Sequence, residues 1–130
     1  MIVATSVLAA LWRNAPEAER LHAAIMRDPV RVMHAASVAD AAMQLLAERG
    51  GGSDLELDAL LRELEITVVP FGESLLHRTR EAARSYGAGR HAANLTRGEC
   101  MDYAMAAELG EPLLCVSAGM SRTDVERVAY

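Results

Sequence analysis

Four carboxylates fall where apolar, strand-like runs give way to helical ones: Asp40, Glu99, Asp102 and Asp124. Asp40 comes after the run 30–33, Glu99 and Asp102 open a helical stretch ending at Leu109, and Asp124 follows the run 113–116. If those runs are strands of one parallel sheet, the acids gather at its carboxyl edge, where open α/β sheets bind ligands. Clustered carboxylates repel and desolvate one another, and a divalent cation offsets that cost. Magnesium suits such a set, because it takes oxygen ligands and keeps several waters, and manganese is the alternative. A cation so held activates water and stabilises a leaving oxygen, which is the chemistry of phosphodiester hydrolysis. Each acid also has a plainer role. Asp40 fits a capping box opened by Ser37, and Glu99 and Asp102 are charges that a helix N-terminus favours.

The elements that must position these acids follow from periodicity. Residues 1–4 form an apolar, β-branched run, as in a strand buried on both faces. Thr5 or Ser6 caps the helix that follows at once. Its last strand residue, where a functional polar group is most useful, is Ala4. Asn14 is expected to cap a second helix with Pro16 in its first turn. Residues 30–33 form a second strand, and Ser37 opens a helix with Val38, Ala41, Ala42, Leu45 and Leu46 on one face. Gly50-Gly51-Gly52 stops it and Ser53 caps the next helix, about 54–64. Residues 66–69 are the clearest strand, closed by Pro70. Then come a helix over 73–86, a loop at Gly87-Ala88-Gly89-Arg90-His91, a helix over 99–109 and a strand over 113–116. A short fifth strand is expected near Val125. Alternating strands and helices imply right-handed crossovers and a parallel sheet.

The chain has 130 residues, enough for one domain with a sizeable core. Apolar residues make up 52% and aromatics only 4%, so aliphatics and alanine fill that core. A net charge of −5 argues against a general electrostatic nucleic-acid binder, but not against a local basic patch. Cys100 and Cys115 lack metal-site spacing and read as buried free thiols of a reducing compartment. No signal peptide or membrane-length apolar run is present, so a cytoplasmic protein is expected. No nucleotide-binding glycine motif occurs.

Met1-Ile2-Val3-Ala4-Thr5-Ser6-Val7-Leu8, followed by Asn14-Ala15-Pro16-Glu17-Ala18-Glu19-Arg20-Leu21, resembles the start of the VapC-type PIN-domain toxins. So do Val68-Val69-Pro70-Phe71, Tyr86-Gly87-Ala88-Gly89-Arg90-His91, Asn94-Leu95, Gly98-Glu99-Cys100, Tyr103-Ala104, Pro112-Leu113-Leu114 and Arg122-Thr123-Asp124, in order along the chain. The resemblance implies one PIN-like domain over 1–130. Its fold would be three-layer α/β, with a four- or five-stranded parallel sheet flanked by helices. It implies a magnesium-dependent endoribonuclease, usually a homodimer, inhibited by a cognate antitoxin protein. Position by position, the family's first acid falls on Ala4, its second on Asp40, its third on Glu99 and a fourth on Gly119. Thr123-Asp124 and the small polar pair Thr5-Ser6 match.

The resulting expectation is an RNA-cutting toxin, weak or inactive as the sequence stands. Asp40, Glu99 and Asp124 would hold the metal in one pocket, Asp102 would stand at its margin as a replacement ligand, and Ser6 would orient a carboxylate or water. Each carboxylate near a dication contributes about 8 kcal/mol of gross attraction at ~4 Å and an effective dielectric of ~20, so two losses matter. Arg90 and His91 are candidates for touching RNA phosphate. His22, His34 and His77 are scattered and read as surface or packing residues, and Cys100 has no partner that would make it a nucleophile. The rival expectation is a catalytically dead PIN-like module that dimerises and docks or titrates an antitoxin. Met101 and Met105 are taken as part of an apolar helix face left for a second copy.

Overall fold

The computed structural model describes residues 1–130. The chain begins with β1 (Ile2–Val3), α1 (Thr5–Trp12), α2 (Ala18–Arg27), β2 (Val32–His34), α3 (Ala35–Arg49) and α4 (Ser53–Glu63). It continues through β3 (Thr67–Val69), α5 (Glu73–Tyr86), α6 (Arg97–Leu109), β4 (Leu113–Leu114) and a 3-10 turn at Met120–Arg122. The four strands form one parallel sheet in the order β3-β2-β1-β4. The expected three-layer α/β fold is therefore present, with β1 interior.

The strands are shorter than the apolar runs that announce them, but pairing extends past their ends. Val32 N–H donates to the Met1 carbonyl at 3.1 Å, and Ala4 N–H donates to the Leu114 carbonyl at 3.0 Å. Alternation along β1 divides the core. Met1 and Val3 belong to a cluster with Leu8, Leu21, Ile25 and Leu45 from the helices on one face. Ile2 and Ala4 belong to another, with Leu75, Leu95, Cys100 and Met105. β3 and β4 are the edge strands, and Val68 of β3 is exposed. The expected fifth strand is reduced to a single parallel bridge between Leu113 and Arg127, because the tail meets β4 at one point only.

Five helix starts differ from the sequence expectation, each by one to three residues. Ala4, Glu17, His34 and Gly52 occupy the N-cap positions of α1 to α4. Thr5, Ser37 and Ser53 lie inside their helices, and Asn14 instead takes a left-handed turn with φ 51°. At α3 the histidine does the serine's work: the Ser37 N–H, three residues on, donates to His34 Nδ1 at 3.0 Å. The helix read as starting at Glu99 starts at Arg97, under a complete capping box of Thr96 and Glu99. Met105 is buried within its own chain, so it leaves nothing for a second copy. The exposed apolar side chains are elsewhere, including Met43 and Leu46 on α3 and Leu55 on α4. No helix is long and apolar enough to cross a membrane.

Candidate active site

At the carboxyl end of β1, the N-termini of α1 and α6 and the second turn of α3 enclose a cleft of about 330 Å³. Ser6, Asp40, Gln44, Glu99 and Asp102 are among its lining residues. Sequence reasoning brought Asp40 and Glu99 together, and both line this cleft. Asp40 reaches across to α6: its Oδ2 lies 3.6 Å from where a Cβ on Gly98 would stand. The same oxygen accepts from Gln44 Nε2 at 2.9 Å, one helical turn along α3.

Glu99 does two jobs. Its Oε2 accepts from the Thr96 N–H at 2.8 Å, closing the cap of α6, and its Oε1 accepts from the Ser117 hydroxyl at 2.5 Å. The second bond ties the start of α6 to the loop after β4. Ser6 does not orient a carboxylate. Its Oγ accepts from the Val116 N–H at 3.0 Å and anchors that same loop to α1.

Asp102 is not a marginal residue but the most deeply set acid, only 3% exposed. The Ser37 hydroxyl donates to its Oδ1 at 2.5 Å, and His34 Nε2 lies 2.8 Å from Ser37 Oγ and 3.3 Å from Asp102 Oδ1. Because His34 Nδ1 accepts from the Ser37 amide, the ring's one proton sits on Nε2 and points at this pair. The Thr5 backbone, at the positive end of α1, also favours the charged carboxylate. Burial still outweighs these donors and raises the Asp102 carboxyl above the usual range. His34, set aside in the sequence as a packing residue, is thus fully buried and organises the end of β2. The available signal was its position three residues before Ser37, the spacing of an N-cap to the amide it accepts from.

Asp124 does not join the cleft, contrary to expectation. It is exposed, and its Oδ1 accepts from the Tyr103 hydroxyl at 2.6 Å and from Tyr86 at 3.3 Å. These phenols hold its carboxyl below the usual range, and the Tyr103 hydroxyl is raised in turn by burial and by Asp124. Ala4 and Gly119, the positions where the resemblance implies further acids, are both closed. Ala4 is 2% exposed and sits in the apolar cluster with Cys100 and Cys115. A Cβ on Gly119 would stand 2.4 Å from the Ala93 carbonyl oxygen, so no acid fits there without moving that backbone. Arg90 and His91 both lie outside the cleft. His91 Nδ1 accepts from the Ala93 N–H at 3.0 Å and its ring meets Tyr86 edge-on, so it shapes its own loop. Burial raises both thiols, Cys115 to about 11, which disfavours the thiolate form.

No group of three or more carboxylate, histidine or cysteine side chains is arranged to hold a metal ion. The cleft offers Asp40 and Glu99, while Asp102 Oδ1 is committed to Ser37 and His34. The side chains present do not fit a resident divalent cation.

Comparison with known proteins agrees with this geometry of the fold. Residues 1–125 match the PIN domain family. The chain is 36% identical over 129 residues to the VapC ribonuclease Mb0640 of Mycobacterium bovis, covering 99% of this chain and 98% of that one. It is 37% identical over 128 residues to a ribonuclease VapC of Mycolicibacterium smegmatis, covering 98% and 99%. Among solved structures, it superposes on the sarcin–ricin-loop-cleaving toxin VapC20 of Mycobacterium tuberculosis with a TM-score of 0.78 at 18% identity, covering 99% and 98%. It also superposes on a chain of a toxin–antitoxin complex from Klebsiella pneumoniae with a TM-score of 0.61 at 12% identity, covering 87% and 82%. A sheet with β1 at its centre, two acids at its carboxyl edge and near full-length similarity to ribonucleases place this chain in the PIN-domain family, among the VapC ribonucleases.

Proposed function

We propose that this chain is an RNA-directed toxin of a toxin–antitoxin pair whose hydrolytic centre is incomplete. It engages RNA and a cognate antitoxin but cuts RNA weakly or not at all. The observation that carries this is the donor set of the cleft: two carboxylates line it beside a buried methyl at Ala4, and the third acid is turned inward on Ser37 and His34. Full-length similarity to VapC ribonucleases supports RNA as the substrate class, and the toxin–antitoxin complex among the structural neighbours supports a protein inhibitor. A magnesium or manganese ion bound in such a centre supplies an activated water and charge for the leaving oxygen.

The test compares RNA cleavage, with magnesium or manganese, by this chain and by Ala4→Asp. Acid at position 4 should raise cleavage by about tenfold or more, since each tenfold needs only about 1.4 kcal/mol of transition-state stabilisation. Because the new carboxylate is buried among apolar side chains, Ala4→Asp should melt lower without metal and regain stability as magnesium is added. The parent chain should show no such shift. Tight magnesium binding and rapid cleavage by the unaltered chain would overturn the incomplete-centre reading. An Ala4→Asp variant that binds metal and cuts no RNA would favour a silent module that docks or titrates an antitoxin. Light scattering at high micromolar concentration tests the homodimer that accompanies either reading.

A further inference from the structure

Across Thr96 from the cleft lies a larger cavity of about 570 Å³, between the end of α5, the loop after it and the start of α6. Its volume is in the range of small-molecule sites. Ala83, Leu95 and Met101 contribute apolar lining, and Arg84, Arg90 and Arg97 are exposed residues on its wall. None of these three arginines forms an ion pair or a side-chain hydrogen bond. By contrast, Arg13, Arg31, Arg49 and Arg78 are each paired with a glutamate. Thr79 also lines the cavity, and its Oγ1 is a buried oxygen with no hydrogen-bond partner. The chain contains no lysine, so every side-chain cation other than a protonated histidine is a guanidinium.

We infer that this cavity is a nucleotide-binding subsite for single-stranded RNA running out of the cleft, with a base in the apolar hollow and phosphates on Arg84, Arg90 and Arg97. The inference rests on the RNA reading above and adds where the strand lies. Free guanidiniums bind phosphate oxygens in a fork and stack on base faces, which ammonium groups do poorly. An apolar slot beside such cations is the chemistry of single-strand binding, where bases leave the stack and pack on protein. Continuity fixes the choice of RNA over an acidic peptide. Thr96 lines both spaces, so the cavity adjoins the cleft and a strand seated in it runs on toward the acids.

The test uses the full chain in EDTA, so that binding is read without cleavage, and a fluorescein-labelled unstructured RNA oligonucleotide followed by anisotropy. Arg84→Ala/Arg97→Ala should weaken binding at least about tenfold. It should also reduce the slope of log K against log salt by about 1.4, at roughly 0.7 for each phosphate no longer neutralised. Arg84→Lys/Arg97→Lys should restore the slope but only part of the affinity. Arg27→Ala/Arg62→Ala, which removes two unpaired arginines far along the chain, should leave binding unchanged. Circular dichroism melting checks that each variant is folded. Equal weakening by the Arg27/Arg62 pair would show general electrostatics and overturn the subsite, as would unchanged binding by Arg84→Ala/Arg97→Ala. A switch in oligomeric state on Arg84→Ala/Arg97→Ala would make the cavity an interface between copies, and also overturn it. No RNA binding by the unaltered chain would instead sink the RNA reading itself.

Discussion

In the cleft, Asp40, Glu99 and Asp102 each already hold hydrogen-bond partners from the same chain. Beyond Thr96, Arg84, Arg90 and Arg97 hold none. Two adjoining hollows therefore treat charge in opposite ways. An acid bonded by a cap, a serine and a buried histidine contributes to holding helices in place, and losing it leaves partners unsatisfied. A guanidinium without a partner costs the fold little and keeps its donors for a ligand. The lesson is that the acids of this site have been drawn into structure, while the cations beside it remain available. A net charge of −5 conceals that division.

Breaking the comparison on the acidic side should produce the largest effect. His34→Ala removes the N-cap acceptor of α3 and the donor beside a buried carboxyl, in a position with no solvent to substitute. It should cost about 2–4 kcal/mol in urea unfolding. A loss below about 0.5 kcal/mol would mean that the network does not hold the fold.

The same network sets a pH dependence with a definite sign. The Asp102 carboxyl titrates higher in the folded chain than in the unfolded one, so the native state binds more protons between those two values. Stability from this group is fully present below the unfolded value, about 3.9, and falls as pH rises through the folded value. Asp102→Asn should flatten that fall, read as urea midpoints from pH 4 to 8. Asp124 provides the internal contrast. Its carboxyl is held low by Tyr103 and Tyr86, so its contribution is present above about 3.9 and lost as pH falls below it. Asp124→Asn should lower the profile above that value by a constant amount, leaving its slope there unchanged and flattening only the acid side.

Smaller effects sharpen the contrast. Glu99→Ala opens the capping box and releases the Ser117 hydroxyl, which should cost about 1–2 kcal/mol. Single substitutions of Arg84, Arg90 or Arg97 by alanine should change stability by no more than about 0.5 kcal/mol. If one of them costs as much as Glu99→Ala, the cavity's arginines are structural after all and the division between the two hollows fails.

Much of the architecture was legible in the residues themselves. Apolar runs at β1, β2, β3 and β4 alternate with helical stripes, and only a parallel sheet covered on both faces accommodates that order. The same topology brings Asp40 and Glu99 to one edge, and the methyl of Ala4 at the end of the first apolar run is visible without coordinates. Periodicity states which face of a helix a residue occupies, however, and not which group from another element competes for its hydrogen bonds. Asp102 lies one turn after Glu99, yet His34 and Ser37 from the end of β2 and the start of α3 turn it inward. Asp124 and Gly119 lie in irregular chain, where no period specifies direction. Tyr103 captures the first, and the Ala93 carbonyl leaves no room beside the second. Ser37 shows the limit most plainly. Serine reads as an N-cap, and only the packing of His34 beneath α3 places it three residues inside the helix with a histidine as its cap.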